Sequence, residues 1–203
     1  MMQDIFTSIK YLKGVGEKRA KYFEKLNIFT VYDLLYHFPR DYVDYSAPVS
    51  ILEAELNTFN VIKGRVTHKL REQNIRRGLS VYKATMTDDE NDFTVVFYNN
   101  HFAFDALKED ETYLLYGKVT GGLIRREINS PTVLAGDIKD LIQPIYPLTE
   151  GITAAAIQKN VKQALKILED TMFDFVPKEV LAENNLCTLR YALENIHFPI
   201  DDM

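Results

Sequence analysis

The sequence predicts an α+β protein: a small five-stranded β-barrel over residues 59–135, flanked by helical segments over 1–58 and 136–203. Three observations carry that expectation. Between residues 61 and 128 polar and apolar side chains alternate with a period of two, as on a strand with one face turned inward. Short polar or glycine-rich turns separate these runs. On either side of them, apolar residues recur instead at helical spacing.

In the first segment Ile9, Leu12 and Val15, then Tyr22, Phe23 and Leu26, then Val31, Leu34, Leu35 and Phe38 follow helical periodicity. Residues 5–40 are therefore predicted as helices, broken at Gly14-Val-Gly16 and at Asn27-Ile-Phe-Thr30. Thr30 or Asp33 is expected to accept from the first free N–H groups of the last of them. The run Leu12-Lys-Gly-Val-Gly-Glu-Lys-Arg-Ala20 resembles the hairpin of helix-hairpin-helix motifs, where two glycines let backbone amides face a phosphate. Gly14, Gly16, Lys18 and Arg19 are the candidates there, and a plain tight turn between packed helices fits the same residues. Residues 43–58 read as a connector whose Ile51, Leu52 and Leu56 are expected to tuck against neighbours.

Within the barrel, Val61, Lys63, Arg65 and Thr67 interleave with Ile62, Gly64, Val66 and His68 on the first strand. Residues 79–87 give a second strand, Asp88-Asp-Glu-Asn91 a polar turn, and residues 92–98 a third. His101–Lys108 suits a short helix, residues 112–120 a fourth strand, and Gly121-Gly122 a turn into a last strand at 123–128. Five strands with a helix between the third and fourth match the oligonucleotide/oligosaccharide-binding (OB) barrel. Beyond it, Leu141–Pro147 reads as a short strand, and Ile157, Val161, Leu165 and Leu168 mark one face of a long amphipathic helix. Two further helices are expected at Asp174–Leu181, with Pro177 in a first turn, and at Thr188–Ile196.

Composition narrows the function classes. With 203 residues, 46% of them hydrophobic, the chain can bury a real core. One cysteine, Cys187, rules out an internal disulfide and is expected to be a buried small hydrophobe. No run approaches the length of a membrane span and the start lacks a secretory signal, so no membrane partner and a cytoplasmic location are expected. The net charge of −5 hides one basic stretch: residues 61–83 hold seven cations, Lys63, Arg65, Lys69, Arg71, Arg76, Arg77 and Lys83, against Glu72 alone. These seven are candidate phosphate ligands, or else a solvated face. Arg125 and Arg126 are weaker candidates.

Catalysis has no visible seat. His37, His68, His101 and His197 show no metal-ligand spacing, so no metal site is expected. None of the nine glycines opens a Gly-x-x-x-x-Gly-Lys-Ser/Thr loop, so these residues are not expected to hydrolyse ATP.

Three stretches together resemble one family, the RecG-type branch-migrating DNA helicases of bacteria. They are Leu12–Gly16 continuing to Asp33-Leu-Leu-Tyr-His-Phe-Pro-Arg-Asp-Tyr42, then Thr94-Val-Val-Phe-Tyr-Asn99, then Ile145-Tyr-Pro-Leu-Thr-Glu-Gly151. The resemblance covers the family's N-terminal portion, whose OB barrel is a wedge ahead of two motor domains. It implies that the chain binds forks, Holliday junctions and single-stranded DNA, splitting strands in branch migration, fork reversal, recombination and repair. A monomer is a separate expectation that the resemblance does not supply. ATP and Mg would be cofactors of the absent motor only, with none in this fragment. The abrupt end at Met203 fits a cut before that motor, and disfavours a standalone regulator.

The resemblance also implies that aromatics after the third strand stack on opened bases, and the matching residues are Tyr98 and Phe102. Tyr98 stands where the family has Phe, which keeps the ring and adds a hydroxyl. Alternation agrees: with Phe97 inward, Tyr98 points outward. Phe104 is the alternative exposed ring beside Phe102, and Phe93, Phe97, Tyr113 and Tyr116 are assigned to packing. The rival reading is a protein-interaction module, its barrel gripping the acidic tail of a single-stranded-DNA-binding protein.

Overall fold

The computed structural model describes residues 4–70, 72–122, 125–137, 140–171 and 174–199. In chain order the first elements are a 3-10 turn at Ile9–Tyr11, α1 (Glu17–Glu24), α2 (Val31–Leu35) and β1 (Asp41–Asp44). β2 (Phe59–Lys69), β3 (Gln73–Arg76), β4 (Leu79–Thr87), β5 (Asp92–Tyr98), α3 (His101–Ala106), β6 (Thr112–Gly121) and β7 (Arg126–Ala135) follow. β8 (Ile142–Ile145), α4 (Ala154–Thr171), α5 (Lys178–Glu183) and α6 (Leu189–His197) complete them. They form two compact units, Met1–Val43 with Ile142–Met203, and Asp44–Leu141.

In the unit built from both chain ends, Ile157, Val161, Leu165 and Leu168 on one face of α4 share a buried core with Ile9, Leu12, Phe23, Val31 and Leu34. The helix predicted around Ile9 is only a 3-10 turn. Ser8 bridges Thr30, and Ile9 N–H donates to the Phe29 carbonyl, so backbone groups a helix would use are already paired. Both predicted caps of α2 are present: Thr30 Oγ1 accepts from Asp33 N, and Asp33 Oδ2 accepts from Thr30 N. α4 and α6 fall where periodicity places them, whereas α5 starts later than predicted, with Pro177 as its N-cap rather than inside its first turn.

A buried polar contact sits in the same unit. The Leu35 carbonyl can only accept, so His197 Nε2 carries the proton donated to it at 2.9 Å. His197 Nδ1 then accepts from the Tyr146 hydroxyl, also at 2.9 Å. Burial pushes the His197 pKa down, with the Leu35 bond opposing it, and the burial effect wins. Cys187 is exposed rather than buried, in the segment that joins α5 to α6.

In the central unit the strand order is β2-β6-β7-β5-β4-β3, antiparallel except for β5 with β7. β2 pairs with β6 through Phe59–Arg65 and with β4 through Arg65–Lys69, so the ladder returns to its first strand. Inward residues of these strands, among them Ile62, Val66, Met86, Phe93, Phe97 and Leu115, make the core. Of the connector residues expected to tuck in, only Ile51 does; Leu52 and Leu56 are exposed. Ile51 is held by Asp88, whose Oδ2 accepts from Ile51 N at 2.8 Å and from Ser50 Oγ at 2.9 Å.

Two further elements differ from expectation. β7 runs on through Asn129-Ser-Pro-Thr132, past the predicted strand end at residue 128, while Leu123 and Ile124 lie outside the described residues. Proline is tolerated because Ser130 and Pro131 together face Gly117 across a bulge, where no ladder bond is required of Pro131. Residues 73–76, outside the five predicted strands, form β3, and the turn is Arg77-Gly78. Gly78 adopts φ +82, a left-handed conformation that lets the two strands reverse within two residues.

Candidate nucleic-acid interface

The aromatic candidates sit where β5 gives way to α3. Phe97 is buried and Tyr98, next on the strand, is 47% exposed, as alternation requires. Asn99 then takes φ +53, ending the strand, and Asn100 Oδ1 caps α3 by accepting from Ala103 N at 3.1 Å. This sharp reversal puts Phe102 in the first turn of α3 with 76% of its surface exposed, against 8% for Phe104. Phe102, not Phe104, is therefore the open ring. Phe93 is buried, and Tyr113 packs against the core while its hydroxyl accepts from Lys108 N.

Asn99 also fastens this corner to the basic hairpin. Its Oδ1 accepts from Ser80 N at 2.8 Å, its Nδ2 donates to the Gly78 carbonyl at 2.9 Å, and its backbone N–H donates to the Ser80 carbonyl. The Arg77-Gly78 turn is thereby tied to Asn99, the residue that follows Tyr98. Tyr98 lies opposite Val81, and Lys83 opposite Val96, so Lys83 is a diagonal neighbour of Tyr98 on one sheet face. Arg76 and Arg77 are exposed, and neither they nor Lys83 forms an ion pair with any described residue. Hydrogen bonds from Ser80 and Tyr82, with His101 nearby, hold the Glu72 carboxyl below its usual range. It remains a carboxylate tied into the hairpin through Tyr82 at 3.0 Å.

The other predicted cations divide differently. Arg65 pairs with Thr87 at the far end of β4, six residues beyond Val81 and so about 20 Å from Tyr98 along the strand. Its guanidinium lies 3.4 Å from Asp89. Lys63, exposed on the same face of β2, borders an open hollow that Asp110, Glu111 and Asp137 also line. Lys69 is turned away altogether: a register shift between Val66 and His68 breaks the alternation. Its ammonium donates to the Leu107 carbonyl at 2.9 Å and lies 4.3 Å from the Phe104 ring centroid. Arg71 lies outside the described residues. Arg126 is buried, its guanidinium donating to the Ala54 and Leu52 carbonyls, so it braces the connector rather than facing solvent.

At the N-terminal hairpin, Gly14 has φ +89 and its carbonyl accepts from Arg19 Nη1 at 2.7 Å. The Gln163 amide grips the backbone of Lys13 in both directions, accepting from its N–H at 3.0 Å and donating to its carbonyl at 3.1 Å. Gly16 is the N-cap of α1, and Lys18 is exposed on that helix. Arg19 is thus occupied within the turn. Sequence reasoning missed Asn99, Asn100 and Asn129, the last of which accepts from the Tyr98 hydroxyl at 3.0 Å. Asparagines clustered at a strand end, where the residue type favours caps and left-handed turns, were the available signal.

Among the described residues no group of three or more His, Cys, Asp or Glu side chains is placed to hold a metal ion, and no helix is long and apolar enough to cross a membrane.

These features define a class: a mixed α+β protein whose mainly antiparallel sheet presents a basic hairpin and two open rings at one corner. The chain belongs to the RecG wedge domain family, whose profile matches residues 8–168. It is 29% identical over 189 residues to the ATP-dependent DNA helicase RecG of Streptococcus pneumoniae serotype 4, covering 93% of this chain and 28% of that protein. It is 28% identical over 196 residues to the ATP-dependent DNA helicase RecG of Escherichia coli K12, with 93% and 28% covered. The chain therefore spans little more than a quarter of the length of these relatives. Its fold is similar to that of RecG bound to a three-way DNA junction, with a TM-score of 0.83 at 24% identity, covering 98% of this chain and 28% of that one.

Proposed function

We propose that residues 59–135 form an OB barrel of five main strands that serves as the strand-splitting wedge of a RecG-like helicase. It acts at stalled forks and Holliday junctions during branch migration, fork reversal, recombination and repair. The single observation that carries this reading is the corner where Asn99 ties the arginine turn to Tyr98 and Phe102. Exposed rings on a corner tied to guanidinium groups that form no ion pair with any described residue suit a strand being opened, since bases stack on the rings without regard to sequence while cations hold phosphates. Arg76, Arg77 and Lys83 are the phosphate ligands nearest the rings. Family membership and the likeness of fold to a junction-bound relative support the same reading. ATP, with Mg, would be consumed by a motor outside these residues, in the cytoplasm.

The test is fluorescence anisotropy of the chain with a model fork, a plain duplex and a single strand. Tyr98→Ala is expected to weaken fork binding by between about five-fold and one-hundred-fold, the worth of one stacked base, while duplex binding changes little. Equal loss on fork and duplex, or none on the fork, would overturn the wedge assignment. An acidic peptide that competes with the fork for the chain would favour a protein-interaction role.

A further inference from the structure

We propose that Asn129 is a positioning residue that locks the Tyr98 ring into its stacking orientation through the phenol hydroxyl, with Thr120 setting the direction of the Asn129 amide. The inference rests on the reading of Tyr98 as the base-stacking residue.

The chain of hydrogen bonds fixes its own polarity. The Glu127 carbonyl can only accept, so the Thr120 hydroxyl donates to it at 3.4 Å and keeps its lone pairs for Asn129 Nδ2 at 2.8 Å. That turns Asn129 Oδ1 towards Tyr98, whose hydroxyl donates at 3.0 Å. Backbone geometry delivers Asn129 to this place. β5 and β7 pair in parallel only through Thr94–Val96 and Glu127–Asn129, and Ser130, at φ +43, ends that ladder. Asn129 is thus the last residue of β7 beside β5, and its side chain reaches Tyr98, two residues past Val96.

A ring anchored at Cβ alone samples several rotamers and must give them up when a base lands on it. A ring pinned also at its hydroxyl has already lost that freedom, so association spends less ordering it. Phenylalanine at this position could not be pinned in this way. The hydroxyl of Tyr98 is therefore part of the device rather than a neutral addition to a stacking ring.

A double-mutant cycle on a model fork, read by anisotropy, tests this with Tyr98→Phe, Asn129→Ala, the double variant and Tyr98→Ala. Tyr98→Phe and Asn129→Ala are each expected to weaken fork binding by roughly two- to ten-fold, and the double variant by no more than either alone. Thr120→Ser, which keeps the hydroxyl, should bind as the parent does, and Thr120→Val should fall towards Asn129→Ala. Urea midpoints of all variants separate loss of fold from loss of positioning. If Tyr98→Ala leaves fork affinity unchanged, the stacking reading itself fails. If Tyr98→Ala weakens binding while Asn129→Ala does not, or if the two single penalties add in the double variant, stacking stands and the positioning role falls.

Discussion

The two ends of β4 carry comparable basic residues and use them differently. Towards the Leu79 end, Arg76 and Arg77, with Lys83 at mid-strand diagonal to Tyr98, form no ion pair with any described residue. At the Thr87 end, Arg65 faces Asp89, and the adjoining turn is organised by Asp88, which accepts from Ser50, Ile51, Glu90 and Asn91. One end leaves its cations without an ion pair to any described residue, and the other spends carboxylates on holding its own loops. Segment charge alone does not locate an interface: what matters is which cations the fold leaves uncompensated.

The largest effect that sharpens this contrast belongs to the structural end. Asp88→Asn is expected to lower stability at pH 7 by about 1–3 kcal/mol in urea denaturation, with no selective loss of fork binding. Partial burial pushes the Asp88 carboxyl up, but the hydrogen bonds from Ile51, Asn91, Ser50 and Glu90 outweigh it and leave the folded-state pKa below its ordinary value. A lowered folded pKa contributes stability that is present above the unfolded value, and that is lost as pH falls through the folded one. The parent and Asp88→Asn should therefore begin to converge in stability as pH falls below about 4, and do so fully only below the lowered folded pKa.

Next in size, Arg76→Ala with Arg77→Ala should weaken fork binding about ten-fold near 0.1 M salt. The slope of log affinity against log salt should also fall, by roughly 0.9 for each phosphate contact removed. Lys63→Ala with Arg65→Ala should change both quantities less. Equal losses from the two pairs would erase the distinction between the ends.

The smallest effect has the opposite sign. Asp89→Asn, chosen because Asp89 holds φ +77 and asparagine tolerates that conformation, releases Arg65 from its exposed ion pair. Fork affinity should rise by no more than about five-fold, the scale of a surface ion pair. A larger rise would mean that Arg65 is a masked phosphate ligand.

Much of this was legible beforehand because it depends on local pattern. β4 and β5 run over the predicted residues, since strict alternation bounded by a polar turn admits one register once one face is buried. The α4 face followed from helical periodicity, and the outward Tyr98 from its neighbour Phe97. β3 was hidden because all four of its residues are exposed, so no buried face marks it. Lys69 was misplaced because a single register shift reverses which face a residue occupies without leaving a trace in residue type.

The sequence by itself determined β4, β5, the buried face of α4, the basic stretch, and the ring at position 98, all products of side-chain chemistry repeated at a backbone period. Only the tertiary structure decided that both chain ends share one core, that Arg126 and Lys69 are structural cations, and that Asn99 and Asn129 organise the corner. Those outcomes depend on pairing between residues distant in the chain. Hydrogen bonds and charge compensation act over a few ångströms of space, and one-dimensional periodicity does not encode which remote groups will arrive within that reach.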